Sequence, residues 1–264
     1  MKFTFKILFV ILSIACVPSG YSATIPIQSI ATKDEGASIV TTPDKKILWV
    51  TDTHLKAVNR DTFINSIKNS ACEAIFITGD IADSDLIETL RITADHITTP
   101  IYFILGNSDN AYGSRTKEIR QSLDTLTKEK KNLHYLHDTA IYFEPKNMIR
   151  DVKTAVVGID GYADSWNVCE TQRKLDLATF ERNVQNAIAQ GAKRIVILTH
   201  IPPFMTDCWY KGEVTSLKNA PHFSSSQSAT LFLNLANEHP KVTFIVYWAI
   251  HTIVVPKHTQ AQQP

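Results

Sequence analysis

The sequence predicts an α/β fold, in which helices cover both faces of a mostly parallel sheet. Short runs rich in Val, Ile and Phe lack polar alternation, as is typical of strands that are buried on both faces. Helical patterns separate these runs, and β-α-β alternation is characteristic of layered α/β folds. The chain has 264 residues, of which 44% are hydrophobic and 20% charged, so it can bury one sizeable core.

The expected elements follow one another along the chain. The strands are KILWVTD, AIFITGD, PIYFILGN, AIYFEP, TAVVGID, RIVILTH and VTFIVYW. Helical patterns cover residues 61–70, 84–97, 114–130 and 175–190. Two stretches, 162–171 and 204–226, have no clear periodicity and are long enough to be loops that cover a site.

The N-terminus has the pattern of a secretory signal peptide. Lys2 and Lys6 precede an apolar run over residues 7–17, and small residues follow at 20–23. The apolar run is shorter than the roughly 20 residues of a membrane helix. We therefore expect a signal peptide at 1–22, one domain at 23–264, and a periplasmic or secreted protein with no membrane span after signal removal. Cys16 leaves a lipid-anchored N-terminus as the alternative.

Charge and cysteine content narrow the functional classes. The 27 basic and 26 acidic side chains nearly cancel, and no long basic run occurs, so no nucleic-acid partner is predicted. An oxidising compartment would favour disulfides, and Cys169 and Cys208 are the candidate pair. The chain has no CxxC spacing, which argues against a zinc site built from thiolates.

Polar side chains follow four of the expected strands. Asp52 and His54 follow the first strand, Asp80 the second, Asn107 the third, and His200 a later one. Taken singly, each of these signals is weak, and a lone Asp-x-His is more often a surface turn than a metal site. Ligands of open α/β sheets bind beyond the carboxyl ends of the strands, so these side chains are expected to converge. Oxygen and imidazole donors together suit Mn, Fe or Zn.

In this order, the strand-end motifs resemble the calcineurin-like metallophosphoesterase family. That family's motifs run D-x-H, G-D-x-x-[DE], G-N-H-[DE], a lone H, and G-H-x-H, and the resemblance extends from Lys46 to His251. It implies a four-layer α-β-β-α sandwich. It also implies hydrolysis of phosphate mono- or diesters, although the substrate itself stays open because fold does not determine function.

The resemblance implies a metal-binding role for six residues. The implied ligands are Asp52, His54, Asp80, Asn107, His200 and His251. The first two would bind one ion, the third would bridge both ions, and the last three would bind the other. Two such ions would activate a water molecule for attack on phosphorus, so that no covalent enzyme intermediate is required.

The third motif departs from the family at the position of its histidine. The chain reads GNSDN, and we take Ser108 and Asp109 as the catalytic positions of this motif. In the family this histidine would protonate the leaving group or neutralise charge on the phosphate, and general acid catalysis contributes about 10²- to 10⁴-fold. Slow turnover of poor leaving groups is therefore expected. Asp83 and Asp109 would orient the ligands, although aspartates at such positions also form turns.

The fifth motif departs more strongly, because IHTI stands where G-H-x-H is expected. His251 is retained, but Ile250 and Ile253 replace the glycine and the last histidine. We therefore expect impaired activity and a C-terminal end that is truncated or altered. A frameshift near Tyr247 or Trp248 is one explanation, since a shifted reading frame can encode Gly-His-Thr-His. A divergent strand with a disordered end is the other. The alternative function is a non-catalytic relative that binds a phosphorylated ligand or protein partner.

Overall fold

The structure is a computed structural model, and the part of the chain that it describes has several gaps. It describes residues 8–9, 46–69, 72–109, 115–137, 139–143, 153–161, 163, 170–203, 209–210, 213–214 and 224–248. The predicted signal-peptide boundary, Cys16, the Cys169 and Cys208 pair, and His251 lie outside these residues.

Strands and helices alternate as the sequence predicts. The strands are β1 (Leu8–Phe9), β2 (Lys46–Val50), β3 (Cys72–Thr78), β4 (Ile101–Ile104), β5 (Leu133–Tyr135), β6 (Ala140–Phe143), β7 (Thr154–Ile159), β8 (Arg194–Thr199), β9 (Trp209–Tyr210), β10 (Glu213–Val214) and β11 (Thr243–Tyr247). The helices are α1 (Ala57–Lys68), α2 (Leu86–His96), α3 (Thr116–Glu129), α4 (Glu170–Ala189) and α5 (Ser226–Glu238). In the described part of the chain, none of these helices combines the length and apolar character that crossing a bilayer requires.

The main strands form two sheets. The first has the order β2-β3-β4-β5 and is parallel throughout. The second has the order β1-β11-β8-β7-β6, and only β6 runs antiparallel to its neighbour. β9 and β10 pair as a short antiparallel ribbon. The parallel order places the carboxyl ends of β2, β3 and β4 side by side at one edge.

Three apolar clusters pack between the four layers of the fold, which are a helix layer, the two sheets and a second helix layer. Ile75 and Ile77 of β3 pack with α1, α2 and α3 in a first cluster. Their neighbour Phe76 points to the opposite face, where it meets Val196 of β8 in a cluster between the two sheets. A third cluster joins the outer face of the second sheet to α4 and α5. The α-β-β-α sandwich predicted from the family resemblance is therefore confirmed.

The elements that the sequence analysis missed lie mostly near the loop at 204–226. Helix α5 begins at the last residue of that stretch, and Ser225 caps it by accepting the backbone N–H of Ser228 at 3.4 Å. Its sequence, SQSATLFLNLANE, is rich in Ser and Asn, which favour caps and turns over helix interiors. Packing of Phe232 and Leu235 against the second sheet compensates for this weak local preference.

Candidate metal centre

The loops after β2 and β3 run side by side and continue the pairing of the two strands. The backbone N–H of Asp52 donates to the carbonyl of Gly79 at 3.1 Å, and that of His54 donates to the carbonyl of Asp80 at 2.9 Å. Asp52, His54 and Asp80 have φ angles of 50°, 42° and 51°. Left-handed backbone is uncommon outside glycine and concentrates at functional sites. The unusual backbone therefore marks the residues that the motif analysis selected.

Two glycines allow the loops after β3 and β4 to touch through their backbones. Gly79 has a φ of 90°, and a Cβ atom there would lie 2.6 Å from the nitrogen of Gly106. A Cβ atom on Gly106 would lie 2.1 Å from Oδ1 of Asp80. No side chain fits in either place. This close approach brings Asn107 next to Asp80.

Asp52, His54 and Asp80 form the first half of the site. Each offers one ligand atom, and these atoms all lie within 4.8 Å of one another. Nε2 of His54 lies 3.6 Å from Oδ2 of Asp80. Two carboxylates and an imidazole at this spacing could hold one divalent ion of the Mn, Fe or Zn type.

His200 and Asn107 form the second half. Nδ1 of His200 donates to the carbonyl of Thr78 at 2.8 Å, so a neutral ring carries its proton on that nitrogen. Nε2 then presents a lone pair toward Oδ1 of Asn107 at 2.9 Å and Oδ1 of Asp80 at 3.6 Å. His200 is fully buried. These three ligand atoms converge in a buried place, so these residues fit a metal ion.

Asp83 orients His54. Its Oδ1 accepts the Nδ1–H of His54 at 2.8 Å, which leaves Nε2 facing Asp80. Nζ of Lys56 lies 3.1 Å from the other oxygen of Asp83. Partial burial acts to raise the pKa of Asp83, but the hydrogen bonds from Lys56 and His54 outweigh it, and the pKa is lowered. A carboxylate behind a histidine in this way is the usual support of a metal-binding imidazole.

Asp109 holds the ligand loops together. One oxygen accepts the backbone N–H groups of Ile81 and Ala82 at 2.8 and 3.2 Å, and the other accepts that of Gly106 at 2.9 Å. Burial, with the nearby charge of Asp80, raises the pKa of Asp109 to about 7 against the lowering effect of these bonds. Because both oxygens of Asp109 accept backbone N–H groups from these loops, the side chain links the loop after β3 to the loop after β4.

Ser108 also contacts Asp80 directly. Its backbone N–H donates to Oδ1 of Asp80 at 2.8 Å, and its hydroxyl donates to Oδ2 at 3.0 Å. The residue that replaces the expected histidine therefore binds the carboxylate that would bridge two ions. Unlike a protonated imidazole, the hydroxyl of Ser108 does not protonate a leaving group at neutral pH.

Two contributors to the site were not predicted from the sequence. Thr51 donates its hydroxyl to Oδ2 of Asp52 at 2.6 Å, and Lys56 supports Asp83. Both flank the D-x-H motif, so their nearness along the chain was an available signal. The carbonyl of Thr78, which orients His200, could not have been found in this way because every residue carries one.

The comparison with protein families identifies the chain. A sequence profile of calcineurin-like phosphoesterases matches residues 45–247. The chain belongs to this family. The matched range includes Asp52, His54, Asp80, Asn107 and His200 and ends before His251.

Several solved structures resemble this one. That of TT1561 from Thermus thermophilus has a TM-score of 0.46 and 13% identity, over 76% of this chain and 80% of that one. That of GAP50, the anchor in the inner membrane complex of Plasmodium, has a TM-score of 0.44 and 14% identity, over 76% of this chain and 64% of that one. No curated protein matches the sequence.

Proposed function

We propose that this calcineurin-like phosphoesterase hydrolyses phosphate mono- or diesters with two divalent metal ions. The observation that supports this most is the convergence of carboxylate, amide and imidazole acceptors at the carboxyl edge of the sheets, around Asp80. When bound, two such ions activate a water molecule and neutralise charge on the phosphoryl group. A phosphate ester is therefore the substrate class that this arrangement suits best.

The roles of the ligands follow from their positions. Asp52 and His54 would hold one ion, Asp80 would contact both, and His200 and Asn107 would hold the other. Asp80 is suited to bridging because it faces both halves, at 3.6 Å from His54 and 3.6 Å from His200. His251 would complete the second set, and this assignment depends on the fifth motif of the sequence.

The contacts of Ser108 predict a preference for good leaving groups. Its hydroxyl donates to Asp80, so the departing oxygen receives no proton from this position. Rates measured for aryl phosphates of increasing leaving-group pKa should fall more steeply than in the Ser108→His variant. Equal slopes for the two proteins would contradict this assignment.

We also propose that the protein is exported, and the support is the N-terminal sequence pattern alone. Cleavage near residue 22 would remove β1, which pairs with β11 at the edge of the second sheet. N-terminal sequencing of protein recovered from the periplasm and the medium tests the proposal. A chain that keeps Met1 in the cytoplasm would refute it.

The direct test is a hydrolysis assay with the purified chain. An activated aryl phosphate monoester and diester are offered with and without Mn²⁺, and the bound ions are counted by elemental analysis. Mn²⁺-dependent cleavage by a chain that binds two ions supports the proposal. Loss of cleavage together with loss of bound metal in the Asp52→Asn variant assigns the activity to this site. One ion or none without turnover would support the alternative, a non-catalytic relative that binds a phosphorylated ligand or partner.

A further inference from the structure

A second group of charged side chains is buried beside the metal centre. Arg120 of α3 lies at its middle and donates from Nη2 to Asp160 at 2.9 Å and from Nη1 and Nη2 to Asp176 of α4 at 3.0 and 2.9 Å. Tyr135 donates its hydroxyl to Asp160, and Nε2 of His137 lies 3.3 Å from Asp176. We call these five residues the ionic cluster.

The two oxygens of Asp160 have different partners. Oδ2 is bound by Arg120 and Tyr135, inside the ionic cluster. Oδ1 accepts the backbone N–H of Leu105 at 2.8 Å, outside it. Asp160 follows β7 in the second sheet, whereas Leu105 follows β4 in the first. One carboxylate therefore joins the carboxyl edges of the two sheets.

Leu105 begins the loop that carries Asn107, Ser108 and Asp109. We propose that Asp160 is a positioning residue of the metal centre, which fixes the start of this loop and thereby the placement of Asn107 against His200. This inference rests on the proposed function for its link to metal binding. The ionic cluster, through Arg120 and Tyr135, holds Asp160 in the orientation that the contact needs.

The close packing of the loop makes its position sensitive to that contact. Gly106, the next residue, lies so close to Asp80 that a Cβ atom on it would come within 2.1 Å of the carboxylate. Leu105 is fully buried, so its N–H loses its protein acceptor if Asp160 is removed. A loop that has lost its buried acceptor would have to shift, and Asn107 would shift with it.

Asp176 provides a matched control within the same cluster. Both aspartates bind Arg120, and both side chains are almost fully buried, but the Leu105 bond belongs to Asp160. The Asp160→Ala and Asp176→Ala variants each remove one carboxylate from Arg120. The Asp160→Asn variant removes the charge but keeps an oxygen that can accept the Leu105 N–H.

The first readout is the affinity of the full chain for Mn²⁺, measured by titration calorimetry. We expect Asp160→Ala to weaken binding by about 10- to 100-fold, as loss of a residue that supports metal ligands typically does. Asp176→Ala and Asp160→Asn should each stay within about 3-fold of the unaltered chain. Equal weakening by the two alanine variants, or no recovery with asparagine, would overturn the inference.

The second readout is amide hydrogen exchange over residues 104–109 without metal. Exchange should quicken in Asp160→Ala and stay unchanged in Asp176→Ala. If the unaltered chain binds no Mn²⁺, the proposed function fails, and this exchange contrast alone decides the role of Asp160. If Asp160→Ala does not fold, Asp160→Leu, which fills the space of the carboxylate but offers no acceptor, is compared with Asp176→Leu. Equal exchange in these two variants would refute the inference.

Discussion

The metal centre and the ionic cluster are two groups of polar and charged residues, and they differ in whether each side chain faces a partner of opposite character. In the ionic cluster, each carboxylate faces the guanidinium of Arg120. In the metal centre, acceptors face acceptors, as where His200 Nε2 meets oxygens of Asn107 and Asp80. In the ionic cluster each buried charge is compensated by a partner within the fold, whereas the converging acceptors of the metal centre need a cation to compensate them.

The two groups also differ in their backbone φ angles. Asp52, His54 and Asp80 are three of the four non-glycine residues with positive φ in the described part of the chain. None of the five residues of the ionic cluster is among these four, so their φ angles are not positive. Strain and unbalanced charge occur together at the metal centre, as is expected where binding rather than stability determined the sequence.

Removing the central cation of the ionic cluster should have the largest effect. Arg120→Met leaves Asp160 and Asp176 buried without their partner, and this should lower the free energy of unfolding by about 3–5 kcal/mol. Urea denaturation measures the change. Arg91→Met is the matched control, because Arg91 pairs with Glu129 at the surface and its loss should change stability little. Similar losses in the two variants would contradict the distinction between the groups.

Removing the central carboxylate of the metal centre should affect binding and spare stability. Asp80→Asn should weaken Mn²⁺ binding at least about 100-fold, since loss of a direct ligand is no milder than loss of an outer one. Unfolding in EDTA should be unchanged or need more urea, because the charge of Asp80 acts unfavourably on buried Asp109. Asp95→Asn, in an exposed pair with Lys130, is the control. A stability loss like that of Arg120→Met would mean that Asp80 is structural.

The ionic cluster should make the free energy of unfolding depend on pH in the acid range and again above pH 6.5. Burial acts to raise the pKa of Asp176, but bonds from His137 and Arg120 outweigh it and lower the pKa from 3.8 to about 2. Stability of about 2 kcal/mol, present above pH 4, should be lost as pH falls toward 2.

For His137, burial acts to lower the pKa, but Asp160 and Asp176 outweigh it and raise the pKa above 6.5. Its contribution, fully present below 6.5, should be lost as pH rises through the raised value.

Urea denaturation of metal-free protein between pH 2 and 9 measures both limbs of this dependence. Asp176→Asn should flatten the acid limb, and His137→Gln should flatten the alkaline limb. An unchanged profile in either variant would show that other groups cause that limb. Because the samples contain EDTA, metal release cannot produce either change.

The smallest expected effect concerns Ser108. Ser108→Ala removes the hydroxyl bond to Oδ2 of Asp80 but keeps the backbone N–H on Oδ1. A single hydrogen bond contributes about 0.5–1.5 kcal/mol, so the affinity for Mn²⁺ should fall by about 2- to 10-fold. Titration calorimetry beside Asp80→Asn measures this. A loss as large as that of Asp80→Asn would mean that the hydroxyl itself is a ligand.

Most of the metal centre could be predicted from the sequence because each residue stands directly after a strand. Parallel pairing places such positions at one edge, so Asp52, Asp80 and Asn107 meet without any knowledge of side-chain packing. The helix α5 was missed although its sequence contains three Leu and two Ala. Its tertiary position, with Phe232 and Leu235 packed on the second sheet, was not evident from the sequence.

The sequence by itself determined the alternation of strands and helices, the strand-end motifs and the presence of Ser108 where the family motif has a histidine. Tertiary structure decided which charges meet: Arg120 lies 40 residues from Asp160 and 56 from Asp176 along the chain. No local pattern predicts such pairs, because they form only when helices and sheets from distant segments pack together. The same packing brings Asp160 to Leu105 and so connects the ionic cluster to the loop that carries Asn107.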